Sequence, residues 1–191
     1  MRKEIVFAGS GGQGVITASI IFAEAAALHE GYHVVQCQSY GPEARGGSSN
    51  SHVILNPAME VGYPRATQPH FMVCLTQESL DKFVGMLRPG GVLLVDKEST
   101  RQIRKLDGRA FNLPMSTVVR EKIGLPIVFN VCVVGAFVAL TGLVRPESVR
   151  EVIRGRVPAR FLDQNLQAFD LGLELGTGAQ PWRPGLSGAT S

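Results

Sequence analysis

Residues 1–16 read Met-Arg-Lys-Glu-Ile-Val-Phe-Ala-Gly-Ser-Gly-Gly-Gln-Gly-Val-Ile, and this stretch decides the fold. Ile5 to Ala8 is a short apolar run of the kind that forms a buried strand. Gly9-Ser10-Gly11-Gly12-Gln13-Gly14 is too rich in glycine to be anything but a tight loop. From Val15 to about Glu30 the pattern is helical. Ala18, Ala23, Ala25, Ala26 and Ala27 suit close packing of that helix on a sheet, and Gly31 is placed to end it. A strand, a glycine loop and a helix in that order aim backbone N–H groups and the positive end of a helix at an anion. Gly9, Gly11 and Gly14 also satisfy G-x-G-x-x-G, where glycine supplies positive φ and close backbone approach.

Further along, His33 to Gln38 reads as a second strand, expected to pair in parallel with the first through a right-handed crossover. Ser48 to Leu55 alternates and reads as a third strand. Asn56 to Gln68 is a proline-containing connection, with an extended piece expected near Val61 to Tyr63. His70 to Leu75 is a buried strand, and Glu78 to Leu87 an amphipathic helix with Thr76 as its N-cap. Arg88-Pro-Gly-Gly91 is a turn. Val92 to Val95, ending at Asp96, is a core strand, and Ala110 to Leu113 a weaker one. Helices follow at about Ser116 to Ile123, Ile127 to Thr141, Pro146 to Arg154 and Ala159 to Leu175. The last has Phe161, Leu162, Leu166, Phe169 and Leu173 on its apolar side. The pattern predicts an α/β fold: a single doubly wound, mostly parallel sheet of Rossmann-like type, with a helical C-terminal third. The domain spans residues 1–176, and the Gly-, Pro- and Ser-rich residues 177–191 are expected to form a flexible tail.

The 191 residues are 45% hydrophobic and 18% charged, which suits one globular domain and not a disordered chain. A net charge of +3, without a Lys/Arg run, gives no footing for nucleic acid. The apolar stretch Ile127 to Val144 is broken by Asn130, Gly135, Thr141 and Gly142. It reads as a buried helix or a subunit contact, and no membrane is expected. The strand follows Met1 directly, so no signal peptide is expected. Cys37, Cys74 and Cys132 stand far apart in apolar contexts. They form no C-x-x-C site, read as core residues, and point to a reducing, cytoplasmic setting. His29, His33, His52 and His70 have neither ligand nor triad spacing.

The glycine motif suggests a dinucleotide, but the second strand closes on Gln36-Cys37-Gln38. It lacks the acid that holds ribose hydroxyls about twenty residues on, and no Gly-Lys-Ser/Thr makes a P-loop. The plainest alternative is a turn serving helix–strand packing, although Ser10, Gly12 and Gln13 exceed what packing requires. The loop Ser39-Tyr40-Gly-Pro-Glu43-Ala-Arg45-Gly46-Gly47 is the more telling one. It follows the second strand and so lies at the same carboxyl edge as the glycine loop, where open α/β sheets bind ligands. Arg45 could pair with a phosphate or carboxylate, or simply with Glu43.

Taken together, the two loops resemble the gamma subunit of 2-oxoacid:ferredoxin oxidoreductases, which recurs as a domain within single-chain pyruvate:ferredoxin oxidoreductase. The similarity runs on through Phe71 to Leu75, Gln77-Glu78, Pro89-Gly-Gly and the Asn130 helix with Gly135-Ala136, covering most of residues 3–175. The Ser-Tyr-Gly-Pro-Glu-Ala-Arg-Gly-Gly form is most similar to the 2-oxoglutarate type. The resemblance implies a subunit of a thiamine diphosphate-dependent enzyme that converts a 2-oxoacid, coenzyme A and oxidised ferredoxin to acyl-coenzyme A, carbon dioxide and reduced ferredoxin. Thiamine diphosphate, Mg2+ and [4Fe-4S] clusters are then expected on partner alpha, beta or delta subunits. This chain would contribute coenzyme A binding and active-site closure through Gly9 to Gly14, Ser39, Tyr40, Glu43, Arg45, Gly46 and Gly47, with no catalytic residue or metal ligand of its own. Two other readings stand beside it: a stand-alone Rossmann-like nucleotide-binding module, and a purely structural docking subunit.

Overall fold

The computed structural model describes residues 1–40, 48–101, 103 and 106–180, without the side chains of Ser39 and Tyr40. Six strands form one sheet: β1 (Lys3–Ser10), β2 (His33–Tyr40), β3 (Ser48–Asn56), β4 (Phe71–Cys74), β5 (Gly91–Asp96) and β6 (Gly108–Leu113). Their order across the sheet is β2-β3-β1-β4-β5-β6. The pairs β1–β4, β4–β5 and β5–β6 are parallel, whereas β3 is antiparallel to both β1 and β2. The expectation that β2 pairs with β1 is therefore corrected. The two run in the same direction, but β3 lies between them. Residues 49–55 of β3 are all buried, so β3 needs a hydrogen-bonding neighbour on each side. The half-exposed β2 takes the edge.

The sheet divides the core by a period of two. Ile5, Phe7, Val53, Leu55, Val73, Val92, Leu94, Phe111 and Leu113 face one side. Val6, Ala8, Ile54, Met72, Cys74, Leu93, Val95 and Ala110 face the other. The first side carries α1 (Val15–His29), α3 (Met115–Lys122), α4 (Phe129–Thr141), α5 (Pro146–Arg156) and α6 (Leu162–Thr177). Phe7, Phe22, Phe71 and Phe137 pack there with ring centroids 5.0–6.1 Å apart in neighbouring pairs. The second side is covered more thinly, by α2 (Gln77–Phe83), a 3-10 turn at Val84–Met86 and parts of the flanking loops.

Each sequence signal has a local cause. Thr76 caps α2 by accepting a hydrogen bond from Ser79 N, and Ser79 Oγ closes the capping box on Thr76 N. Helix α2 is shorter than its periodicity suggests, because the chain tightens to 3-10 at Val84. The extended piece expected at Val61 to Tyr63 is not a strand. That connection is instead held by Glu4 Oε2, which accepts from Thr67 N and Gln68 N, and by His52 Nδ1, which accepts from Ala66 N. Asp96, fully buried at the end of β5, accepts from Ser116 N and Ser116 Oγ and so anchors the start of α3. Helix α4 is buried along Asn130 to Val138, which makes it the central packing helix. Helix α6 lies directly on it: a Cβ on Gly172 would sit 2.0 Å from Cys132 O, and one on Gly135 2.2 Å from Phe169 O. Phe161, expected on the apolar side of this last helix, lies in the 3-10 turn ahead of α6 and is 38% exposed.

Candidate functional site

The register fixes which loops meet. Ser10, the last residue of β1, pairs with Ser48, and Tyr40, the last of β2, pairs with Ser49. The carboxyl ends of β1 and β2 therefore lie at the same edge of the sheet, as the sequence required. The loop between Tyr40 and Ser48, with Glu43, Arg45, Gly46 and Gly47, lies outside the described residues, as does the tail 181–191.

The glycine loop is defined in detail. Gly12 and Gly14 adopt positive φ, +94° and +69°, which a side chain would strain. Glycine at Gly9 and Gly14 answers to the chain's own packing. A Cβ on Gly9 would come within 2.6 Å of Gln13 Oε1, and one on Gly14 within 2.8 Å of Asn130 Cβ. The Gln13 amide is used internally: its oxygen accepts from Ser10 N at 2.9 Å, and its nitrogen donates to Leu75 O at 3.1 Å. Gln13 thus braces the loop against the end of β4. Helix α1 follows with Gly14 as N-cap and no side-chain cap. The first-turn N–H groups, which have no carbonyl a turn behind them, remain directed at the loop.

These groups open onto a cleft of about 850 Å³. One wall is Gly12, Gln13, Gly14 and Thr17. A second is the turn Leu125–Phe129 with Asn130 at the start of α4, and the third runs from Arg156 to Pro158 with Phe161 and Asn165. Two helix N-termini, those of α1 and α4, therefore reach the same space. Asn130 is 8% exposed, and among the described residues its side chain makes no hydrogen bond. Its amide is not sealed from solvent: it faces the cleft, where its donors and acceptor are open to water or a ligand. Arg156 is the one charged side chain in the described lining, and its Nε donates to Glu24 Oε2 at 2.7 Å. Leu125 to Phe129, Val157, Pro158 and Phe161 make most of the remaining wall apolar, with Ile127 78% exposed. The sequence reading takes Asn130 as an interruption of an apolar run and as part of the family resemblance, and gives it no role in the site. A polar residue at the head of such a helix was the signal available.

His52, Cys74 and Cys132 lie outside the lining of the cleft and are packed into the fold. Burial pushes the Cys74 and Cys132 thiols up to about 12. Cys37 is partly buried and free. Burial, then the Arg65 charge, hold His52 below its ordinary value, with Glu4 opposing. No group of three or more His, Cys, Asp or Glu side chains among the described residues could hold a metal ion. Among the same residues no helix is long and apolar enough to cross a membrane.

A mostly parallel α/β sheet, with a glycine loop and an open cleft at its carboxyl edge, defines a Rossmann-like binding domain. The particular lineage is clear from its relatives: residues 4–175 match the model of the pyruvate ferredoxin/flavodoxin oxidoreductase family, and the chain belongs to that family. It is 41% identical over 177 residues to the 2-oxoglutarate synthase subunit KorC of Methanocaldococcus jannaschii, covering 92% of this chain and 94% of that one. The crystal structure of the keto/oxoacid ferredoxin oxidoreductase gamma subunit from Geobacter sulfurreducens superposes with a TM-score of 0.82 at 40% identity, over 91% of this chain and 98% of that one. The 2-oxoglutarate:ferredoxin oxidoreductase of Magnetococcus marinus, solved with 2-oxoglutarate, coenzyme A and succinyl-CoA bound, shares the fold. Its TM-score is 0.81 at 22% identity, and 96% of this chain matches 32% of that one. The chain is thus a gamma-type subunit of a 2-oxoacid:ferredoxin oxidoreductase, an enzyme of more than one subunit.

Proposed function

We propose that this subunit serves an oxidoreductase acting on 2-oxoglutarate, and that its cleft receives coenzyme A. The observation that carries the reading is Asn130: a cleft-facing amide without a protein partner among the described residues, set beside the glycine loop and the uncapped start of α1. Coenzyme A is a polyanion with a long, largely neutral arm. Its phosphates suit backbone N–H groups and a helix N-terminus, and its arm suits the apolar wall at Leu125, Ile127 and Phe161. The naming of the relatives after 2-oxoglutarate synthase supports the choice of acid. The bound coenzyme A in the Magnetococcus structure supports the ligand.

In this reading the chain binds and orients coenzyme A and closes over the site, while carbon–carbon cleavage takes place on partner subunits. Thiamine diphosphate there supplies the carbanion chemistry, and Mg2+ and [4Fe-4S] clusters belong to the same alpha, beta or delta partners. Ferredoxin takes the electrons. Ser39, Tyr40, Glu43, Arg45, Gly46 and Gly47, which the resemblance assigns to coenzyme A, are proposed to take part in the same binding. The complex would work in the cytoplasm.

The test is Asn130→Ala in the reconstituted complex. KM for coenzyme A should rise about tenfold, the cost of roughly one lost hydrogen bond to a charged ligand, with KM for 2-oxoglutarate unchanged. An unchanged coenzyme A dependence would remove the cleft from the reaction and leave the subunit a docking role.

A further inference from the structure

A second concave surface lies at the opposite, amino-terminal edge of the sheet. Here β1, β4, β5 and β6 begin, and a pocket of about 340 Å³ opens among Lys3, His70, Arg88 and Arg109. Among the described residues no carboxylate lines it. Among the described residues, neither Lys3, Arg88 nor Arg109 makes an ion pair, whereas Arg2, Arg120, Arg145, Arg150, Arg154 and Arg156 all do. The carboxylate next along β1 is already engaged. Glu4 holds Arg2 through Oε1 and the Thr67 and Gln68 N–H groups through Oε2. Asp107 is exposed, and among the described residues it makes no ion pair with Arg109. The concentration of positive charge is felt by His70: burial first, then Arg88 and Lys3, hold it below its ordinary value against the pull of Glu4. Its Nε2 lies 2.6 Å from Arg88 Nη1.

Like charges gathered in a pocket without counter-charges repel each other, and an anion arriving from outside relieves this. The backbone indicates what kind of anion. Built phosphate sites rely on free main-chain N–H groups. In this pocket the N–H groups of Gly90, Gly91 and Val92 are already spent on Asp107 O, Arg88 O and His70 O. The side-chain cations remain open, on long stems that can follow carboxylates presented by another chain. We propose that the Lys3–Arg88–Arg109 pocket is a docking site for an acidic, carboxylate-bearing segment of a partner protein. It lies at the far end of the sheet from the coenzyme A cleft and stands whether or not that cleft holds coenzyme A.

A fluorescein-labelled hexaglutamate peptide, titrated with the full chain and followed by anisotropy, tests this. Binding should saturate at low ionic strength and weaken steadily as salt shortens the screening length below about 10 Å. Lys3→Glu with Arg109→Glu should weaken it at least about tenfold, and adding Arg88→Glu should weaken it further, since exposed pairs are lost and repulsion replaces them. Thermal melts of the variants would confirm folding, and the double variant spares the Arg88–His70 contact should the triple variant fail to fold. Lys97→Glu with Lys122→Glu, two exposed lysines elsewhere, makes the same change in net charge and should leave the affinity as it was. Absence of saturable binding, equal affinity in the pocket variants, or equal loss in the control would overturn the proposal. Full displacement of the peptide by inorganic phosphate at about 1 mM would assign the pocket to a small anion instead and also overturn it.

Discussion

Gly172→Ala and Gly155→Ala are the same chemical change in two helices, and the structure gives them opposite signs. In α6, a Cβ at Gly172 would lie 2.0 Å from Cys132 O and 2.8 Å from Ala136 N of α4. An ordinary contact starts near 3.4 Å, so the helices must part by more than about 1 Å, and packed interiors resist such displacement. The seam cannot yield locally, because a Cβ on Gly135 would likewise come within 2.2 Å of Phe169 O, and one on Gly176 within 2.7 Å of Ala136 O. Overpacking of this kind costs about 1–3 kcal/mol or more, against a gain of up to about 1 kcal/mol in helix propensity. The net loss should be about 2 kcal/mol, a drop of roughly 4–8 °C in Tm for a chain of this length. At Gly155 in α5 an added Cβ meets nothing within 4 Å, so only the propensity term remains, and Tm should rise by up to about 4 °C. Thermal and urea denaturation of the two purified variants reads the difference directly. A Gly172→Ala chain as stable as the parent, or a destabilised Gly155→Ala chain, would refute the close α4–α6 packing derived from these glycines.

Two further predictions concern titratable groups. Burial alone would raise the Glu30 pKa, but the hydrogen bonds from Ser148 Oγ at 2.6 Å, Arg145 N at 2.9 Å and Arg145 Nε at 3.0 Å outweigh it and hold the carboxyl below 4.5. Glu30 therefore contributes stability that is fully present above pH 4.5 and is lost as pH falls through its folded value. Glu30→Gln should be less stable than the parent at pH 7, and the gap in Tm should narrow on acidification below pH 4.5; a gap that stays constant would contradict the linkage. Cys74 and Cys132, with thiols pushed up to about 12, should resist iodoacetamide at pH 8 in the folded chain, leaving Cys37 as the alkylated site in a peptide map.

The strands were legible because short apolar runs and alternation are local properties: Ile5 to Ala8 reads as a buried run, and a period of two puts Ile5 and Phe7 on one face and Val6 and Ala8 on the other. The neighbour of β1 was not legible. The crossover rule gives the direction of β2 correctly, yet adjacency depends on what is inserted later, and residues 48–56 take the place between. The cue available was Gln36 and Gln38, polar residues that suit an edge strand. The glycine loop was legible as a turn with helix N-terminal donors, but not in what its glycines avoid. The close neighbours of Gly9 are Gln13 and Val15, and that of Gly14 is Asn130, more than a hundred residues on. Pairings of that range come from tertiary packing and leave no periodic trace.

Gly14 therefore answers to two demands, and they can be separated. Its φ of +69° penalises any side chain, by about 1–2 kcal/mol for alanine. Independently, a Cβ there would lie 2.8–2.9 Å from Asn130 Cβ, Cγ and Nδ2. Asn130→Gly removes all three of those atoms, whereas Asn130→Ala would leave the first. In a double-mutant cycle, Gly14→Ala should be markedly less damaging in the Asn130→Gly background than in the parent. The coupling should be about 1 kcal/mol or more, as expected for side chains in direct contact. The residue of the Gly14→Ala effect that survives is the conformational penalty. A cycle with no coupling would mean that α1 and α4 are not pressed together at their starts. The cleft would then lose the wall that brings the Asn130 amide alongside the glycine loop.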